Sequence, residues 1–129
     1  MRALLTLFLT AAPALADPLL TAEEFDALTL GRTMTWSEFG TAYGVEQYLP
    51  DRKVRWTYTG DECKTGNWYQ DGSAICFQYE GDITPDCWEI TRSGPDLLAR
   101  YTTDPPGTDP VIVTETTVPL ACFGPEVGV

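Results

Sequence analysis

The chain has 129 residues, with 19 acidic and 8 basic side chains, no histidine and a formal net charge of −11 at pH 7. Such a charge repels nucleic acids and anionic lipid surfaces, so these partners are excluded. The lack of histidine excludes Ser-His-Asp catalysis, Cys-His catalysis and imidazole metal sites, and no glycine-rich phosphate-binding motif occurs.

Residues 1–16 have the pattern of a secretory signal peptide. Arg2 supplies the positive charge, residues 3–12 an apolar run, and Ala14-Leu15-Ala16 a small-residue cleavage site. The run is too short to span a bilayer, and no comparable stretch follows, so we expect no transmembrane segment in the mature chain. We therefore expect cleavage after Ala16 and a periplasmic or secreted protein in which residues 17–129 form a single small β domain.

The segment from Leu20 to Phe25 has the pattern of a helix start. Thr21 and Glu24 form a capping box, and Leu20 and Phe25 occupy the positions of a hydrophobic staple. This pattern predicts a short helix over residues 22–29 that ends near Gly31. We expect the helix to cover one end of a sheet, with binding of a partner as the alternative.

The clearest hairpin pattern lies at residues 66–80. Asp71-Gly72 separates two runs rich in aromatic and β-branched residues, and Asp-Gly favours a two-residue turn. In the register that this turn sets, Trp68 faces Ile75, and the two side chains share the more apolar face. The sequence predicts strands over residues 33–37, 45–49, 53–59, 66–69, 74–80, 87–91, 97–102 and 111–118.

This spacing predicts an all-β fold. About eight short strands with turns every eight to twelve residues are typical of an antiparallel meander that closes, or partly closes, into a small barrel. An open sheet would leave apolar edges exposed. A β-sandwich is the alternative architecture.

Four cysteines remain in the mature chain, namely Cys63, Cys76, Cys87 and Cys122. An even number in an oxidising compartment predicts two disulfides, whereas a zinc site would favour Cys-x-x-Cys pairs. Cys76 and Cys87 fall on neighbouring predicted strands and on the face away from Trp68. We therefore expect a 76–87 bridge, which leaves 63–122 as the second one.

Aromatic residues are the richest feature of the composition. We interpret the four tryptophans as core, because each ring buries a large area in a small domain. The alternative is a lined cavity or an exposed patch that binds a sugar, an apolar ligand or a partner. Four tyrosines fall beside turns or on polar faces and are the candidate surface-binding residues: Tyr43, Tyr48, Tyr69 and Tyr101.

Catalysis would have to rely on carboxylates. Acidic residues are adjacent at Glu23-Glu24 and Asp61-Glu62, but neighbours on a strand point to opposite faces and cannot flank one substrate bond. No stretch matches a calcium-binding loop. We therefore expect no enzyme activity, no metal and no cofactor.

Three features occur together: the segment Gly44-Val-Glu-Gln-Tyr-Leu-Pro-Asp-Arg52, the motif Gly66-Asn-Trp-Tyr69, and Ile75-Cys-Phe-Gln-Tyr79 before Cys87-Trp88. The last two contain a Gly-x-Trp, Cys-Phe, Cys-Trp series. The series resembles that of small exported bacterial domains of unknown function. The likeness covers the mature chain and implies a common disulfide-stapled β fold, with no assigned activity. Gly66-Asn-Trp is also similar to the Gly-x-Trp motif of lipocalins, although there the motif opens the first strand.

Together these features predict a non-enzymatic domain that binds another envelope protein through its surface. The negative charge favours a basic partner, although it also serves solubility. An inhibitor of a basic hydrolase such as a lysozyme is one form of this function, by fold-level analogy. The alternatives are a barrel that binds a small apolar molecule or a sugar, and a carboxylate-dependent hydrolase. The oligomeric state stays open.

Overall fold

The computed structural model describes residues 9–13, 17–117 and 119–122. Its strands form a closed antiparallel barrel in which each strand pairs with the next and the last pairs with the first. The predicted β fold is confirmed, and closure of the sheet excludes the sandwich. The elements are α1 (Ala22–Thr29), β1 (Thr33–Glu38), β2 (Thr41–Leu49), β3 (Lys53–Tyr58), β4 (Lys64–Asp71), β5 (Ala74–Tyr79), β6 (Asp86–Ser93), β7 (Asp96–Tyr101) and β8 (Val111–Glu115).

The predicted signal peptide falls largely outside the described residues. Residues 9–13 are exposed, and the cleavage site at 14–16 is not described. No helix in the described part of the chain is long and apolar enough to cross a membrane.

Helix α1 forms as its capping pattern predicts. The Thr21 hydroxyl accepts a hydrogen bond from the Glu24 backbone N–H, and the Glu24 carboxylate accepts from the Thr21 backbone N–H in return. Gln70 accepts a further hydrogen bond from the Ala22 N–H at 2.7 Å, which ties the helix start to β4. Phe25 extends from α1 into the barrel and is fully buried.

The meander gives the barrel two unlike ends. The plugged end carries α1 and the connections 50–52, 72–73 and 94–95. The other end, which we call the mouth, carries the connections 39–40, 59–63, 80–85 and 102–110 together with the strand ends that they join.

The interior is filled with aromatic and aliphatic side chains. All four tryptophans are buried, with exposed fractions of 3–7%. This confirms their interpretation as core. Since each large ring removes apolar area from water, these side chains are a main source of the stability of a small domain.

The hairpin between β4 and β5 differs from its prediction by one step at the turn. Asp71 pairs with Ala74 and Trp68 pairs with Phe77, so the turn residues are Gly72 and Ser73. Gly72 takes the positive φ of 58° at the first turn position, which only glycine adopts at no steric cost. Because the partner of each residue shifts by two, every side chain stays on its predicted face.

Both predicted disulfides are confirmed. Cys76 pairs directly with Cys87 across β5 and β6 and is bridged to it, and Cys63 is bridged to Cys122. The second bridge holds the C-terminal segment against the loop after β3. Two disulfides fit a protein outside the cytoplasm.

Strand β2 is longer than predicted. It begins at Thr41 rather than at residue 45, and only Phe39 and Gly40 remain in the turn after β1. The extension brings Tyr43 and Gly44 into the barrel wall at the mouth.

Candidate functional site

The mouth is lined by aromatic rings in contact with one another. Trp36 lies at the centre, with its ring centroid 6.1 Å from that of Trp56 and 5.1 Å from that of Trp88. Tyr58 packs against Trp56 at 5.3 Å, and Tyr101 stacks on Trp88 at 3.6 Å. The alternation of each strand directs these rings inward from β1, β3, β6 and β7.

A sixth ring, that of Tyr43, completes the wall. Its centroid lies 6.0 Å from that of Trp56. Tyr43, Tyr58 and Tyr101 line the same recess as Trp36, Trp56 and Trp88.

These rings enclose a small recess. Its volume is about 40 Å³, and Phe77 and Tyr79 contribute to its lining together with the mouth aromatics. The rings that form the recess belong to the hydrophobic core. The recess is therefore a shallow depression and does not enclose a ligand.

Glycine at position 44 makes room for this arrangement. A Cβ atom there would lie 2.1 Å from the Trp56 ring, far inside van der Waals contact. Trp56 therefore lies directly over the backbone of β2, and its position at the base of the mouth depends on Gly44.

From residue 17 onward, the two most exposed of the described large apolar side chains lie in mouth loops: Phe39 is 82% and Ile83 is 98% exposed. Tyr58 and Tyr101, also at the mouth, are 49% and 40% exposed. Exposed apolar groups gathered at one end of a small protein mark an interaction surface.

Carboxylates surround the aromatic recess. Asp82 and Asp86 line it, and Lys64 forms an ion pair with Asp82 at 3.3 Å. Asp86 is partly buried, and among the described residues its carboxylate has no ion-pair partner. Burial and the neighbouring Asp82 raise the pKa of Asp86, while Lys64 lowers it.

The electrostatic field at the mouth is negative. Burial, together with Asp86, Tyr58, Asp104 and Glu38, raises the pKa of Tyr101 to about 12. Burial raises the pKa of Tyr43 further, with contributions from Tyr101 and Glu38. Both phenols stay neutral at physiological pH and can donate or accept hydrogen bonds.

A buried carboxylate, Glu46, lies beneath the recess. It is fully buried and accepts a short hydrogen bond from the Tyr79 hydroxyl. Burial raises its pKa to about 7, although the hydrogen bond from Tyr79 and the nearby hydroxyl of Tyr48 favour the charged form and lower that value. Glu46 is therefore a fully buried group whose charge changes near neutral pH.

Three buried polar atoms around Glu46 lack a partner with hydrogen-bond geometry. They are the Glu46 Oε1 atom, the Tyr48 hydroxyl and the Trp36 Nε1 atom. Burial raises the pKa of Tyr48, the neighbouring Glu46 raises it further, and Trp36 lowers it. Unpaired buried polar groups destabilise a core, so this cluster is held in place by the packing around it.

The four tyrosines predicted as surface-binding residues have three different locations. Tyr43 and Tyr101 lie together at the mouth, whereas Tyr69 is on the outer wall of β4 with 40% of its surface exposed. The prediction of Tyr48 as a surface residue is wrong, because it is only 1% exposed and packs against Phe25.

Several mouth residues were not singled out by the sequence. Tyr58 ends β3 and Asp86 begins β6. Glu46 lies in β2, beside Val45, and no inward face was predicted for that strand. The alternation of Val54, Trp56 and Tyr58 was a usable signal, because it places Tyr58 on the face of a core tryptophan.

A second groove lies beside the plugged end. Its volume is about 490 Å³, and it runs between Leu28 and Arg92. Arg32 and Glu115, both in its lining, form an ion pair at 3.1 Å, so part of its charge is satisfied internally. Its described lining has no aromatic ring. The mouth is therefore the stronger candidate site.

The described residues contain no group of three or more Cys, Asp or Glu side chains that could hold a metal ion. No protein-family model, curated protein or solved structure matches the chain, so the resemblance to exported bacterial domains stays a prediction.

Proposed function

We propose that this protein is a non-enzymatic recognition domain that binds a basic exported protein through the mouth of its barrel. The observation that carries the proposal is the coincidence of exposed apolar side chains and unpaired negative charge at one end of the molecule. Phe39 and Ile83 project from the same end at which Asp86 lies without an ion-pair partner.

This combination is typical of a protein-binding surface. Exposed aromatic side chains supply the desolvated centre of an interface, and tyrosine is enriched at interface hot spots. Carboxylates around such a centre steer a basic partner and select it over an acidic one. Tyr58 and Tyr101, each about half exposed, occupy the centre of the mouth.

The filled interior argues against the alternative of a barrel that encloses an apolar ligand or a sugar. Enclosing a small molecule takes a cavity of roughly 300 Å³ or more. The recess at the mouth measures about 40 Å³ and is lined by Trp36, Trp56 and Trp88, while Trp68 fills the interior towards the plugged end.

The test compares two tyrosines with equal exposure. Tyr101 at the mouth and Tyr69 on the outer wall are both 40% exposed. The mature protein, Tyr101→Leu and Tyr69→Leu are immobilised at equal density, and an extract of cell-envelope proteins is passed over each at low and at moderate salt.

The expected result is retention of basic proteins on the unmodified protein and on Tyr69→Leu, with retention on Tyr101→Leu lowered at least about tenfold, as for an interface hot spot. Equal retention on the two variants would contradict the assignment to the mouth. No retention of basic proteins by the unmodified protein would overturn the function itself.

A further inference from the structure

We propose that the recess of the mouth seats the ammonium group of one lysine side chain from the basic partner, between its aromatic rings and against Asp86. This inference rests on the proposed function and adds the chemical group that is recognised. Lysine is selected over arginine by the size of the recess and over neutral groups by its charge.

The size of the recess fits the end of a lysine. A cavity needs about 10–15 Å³ of this measure to hold one water-sized group. The volume of about 40 Å³ therefore accommodates roughly three heavy atoms, which corresponds to Cδ, Cε and Nζ of lysine. The planar guanidinium of arginine has four heavy atoms and is wider.

The walls of the recess have the chemistry that attracts a cation. An ammonium group is stabilised over an aromatic face when it lies within about 6 Å of the ring centroid, with tryptophan the strongest partner. The rings of Trp36, Trp56 and Trp88 all line the recess. A group in the recess therefore lies against more than one ring.

The structure already contains a cation on a tryptophan at its other end. The guanidinium carbon of Arg52 lies 4.9 Å from the centroid of Trp68, near the plugged end. At the mouth, the corresponding tryptophans have no such partner among the described side chains.

Asp86 provides the countercharge, and the tyrosines provide hydrogen-bond acceptors. Asp86 lines the recess and is partly buried without an ion pair, so a cation there would satisfy a carboxylate that burial disfavours. An ammonium group has three N–H donors, and the side chains of Tyr43, Tyr58 and Tyr101, whose hydroxyls can accept, line the same recess.

Removal of Lys64 is predicted to have the opposite effect on lysine binding to removal of Asp86. Lys64 lines the same recess, is paired with Asp82 and lowers the pKa of Asp86. Lys64 therefore repels an incoming ammonium and partly screens its countercharge. Its removal should strengthen lysine binding, which a purely structural role of the mouth would not explain.

The experiment uses the mature protein and blocked nonapeptides of glycine and serine with one central residue. The central residue is lysine, Nε-acetyl-lysine or arginine, and n-butylammonium serves as the free amine. Binding is followed by the indole N–H signals of the tryptophans in NMR titrations. Asp86→Asn and Lys64→Gln are compared with Asp96→Asn, a carboxylate at the plugged end.

The lysine peptide should bind at least about tenfold more tightly than the acetyl-lysine peptide, with the arginine peptide weaker than lysine. Asp86→Asn should lower the affinity about tenfold, Lys64→Gln should raise it severalfold, and Asp96→Asn should leave it unchanged.

The assignment is overturned if the acetyl-lysine peptide binds as well as lysine, if no peptide binds, or if Lys64→Gln weakens binding. Binding of n-butylammonium as tight as that of the lysine peptide would overturn the choice of a protein partner in favour of a free amine. If no peptide binds but basic proteins are still retained through Tyr101, the lysine site is wrong and the proposed function stands.

Discussion

The plugged end and the mouth are built from the same strands, yet aromatic residues are fully buried at the plugged end and partly exposed at the mouth. At the plugged end, Phe25 is fully buried and makes edge-to-face contacts with Tyr48 and Trp68 at 5.5 and 5.0 Å. At the mouth, Tyr58 and Tyr101 complete the aromatic stack but leave about half of their surface in water.

The two ends also differ in charge. The plugged end carries four basic side chains, Arg32, Arg52, Lys53 and Arg92, together with carboxylates of its own: Glu23, Glu24, Asp26, Asp51, Asp71, Asp96 and Glu115. Three of the basic groups have local partners, in Glu115, the Trp68 ring and the Gly94 carbonyl. The mouth strand ends and loops carry two described basic side chains, Lys64 and Arg100, and a larger set of carboxylates: Glu38, Asp61, Glu62, Glu80, Asp82, Asp86, Asp104 and Asp109.

This difference shows how a small barrel can separate stability from recognition. One short helix covers one end and completes the core there. The opposite end needs no cover, because its tryptophans are already buried by one another, and its outermost groups stay available to a partner. The larger excess of carboxylates at the mouth would also favour the approach of a basic partner to that end.

The largest effect should come from breaking the plug. Phe25→Ala removes a fully buried ring that contacts Tyr48, Trp68 and Phe77. We expect the free energy of unfolding to fall by about 4 kcal/mol, as measured by urea denaturation. Phe39→Ala, at the exposed tip of the mouth, is the matched control and should change it by less than about 0.5 kcal/mol. Equal losses in the two variants would refute the contrast between the ends.

The next effect concerns Glu46, which lies under the mouth. Its pKa is about 7 in the folded protein against an ordinary value of 4.5, so the folded state binds the proton more tightly. Stability from this group is therefore greatest below about pH 4.5 and is lost as the pH rises to about 7, with a total near 3 kcal/mol.

Glu46→Gln tests this pH dependence because it is neutral at every pH and still accepts from Tyr79. At pH 8 the variant should be more stable than the unmodified protein by about 3 kcal/mol, and the difference should shrink towards pH 4.5. Urea denaturation across this range measures it. A difference that does not vary with pH would show that Glu46 keeps an ordinary pKa.

A smaller effect is expected from filling the space beneath Trp56. Gly44→Ala places a methyl group against that ring, so the ring must move. We expect a loss of about 2 kcal/mol in unfolding free energy and a changed tryptophan fluorescence. Trp56→Phe in the same chain relieves the contact, so the double variant should lose less than the sum of the two single losses. Additive losses would contradict the steric explanation.

The smallest effect should come from the cap of α1. Thr21→Ala removes the hydroxyl that accepts from the Glu24 backbone N–H, at a cost of about 1 kcal/mol in a thermal or urea unfolding experiment. Thr21→Ser keeps the cap and should behave nearly like the unmodified protein. Mouth binding should be unaffected in both, and a loss of binding in Thr21→Ala would show that the two ends are coupled.

Local patterns in the sequence determined a large part of this fold. The capping box at Thr21 and Glu24 specifies the start of α1 through contacts three residues apart. Alternation along a strand predicts which side chains face inward. The predicted faces of β4 and β5 are correct despite the error at their turn, because a shift of two residues leaves each side chain on the same face of the sheet. The same parity identified the Cys76–Cys87 bridge.

Only some of the residues at the mouth could be predicted from the sequence. Tyr43 and Tyr101 were named as candidates from their places beside turns, but nothing local places them near Asp86 or Lys64. Tyr48 was misplaced, because a tyrosine near a turn resembles a surface residue until the partner of its ring, Phe25 from α1, is known.

The sequence by itself thus determined the helix, the strands, the faces of most strands and the disulfide pairing, since each depends on contacts that are local or fixed by parity. The tertiary structure decided between a closed barrel and a sandwich. It alone showed that Glu46 is buried against Tyr79, 33 residues away, and that aromatic rings and carboxylates from many strands meet at one end. The physical reason is that closure of the barrel brings together side chains far apart in the chain, and burial and electrostatics depend on that proximity.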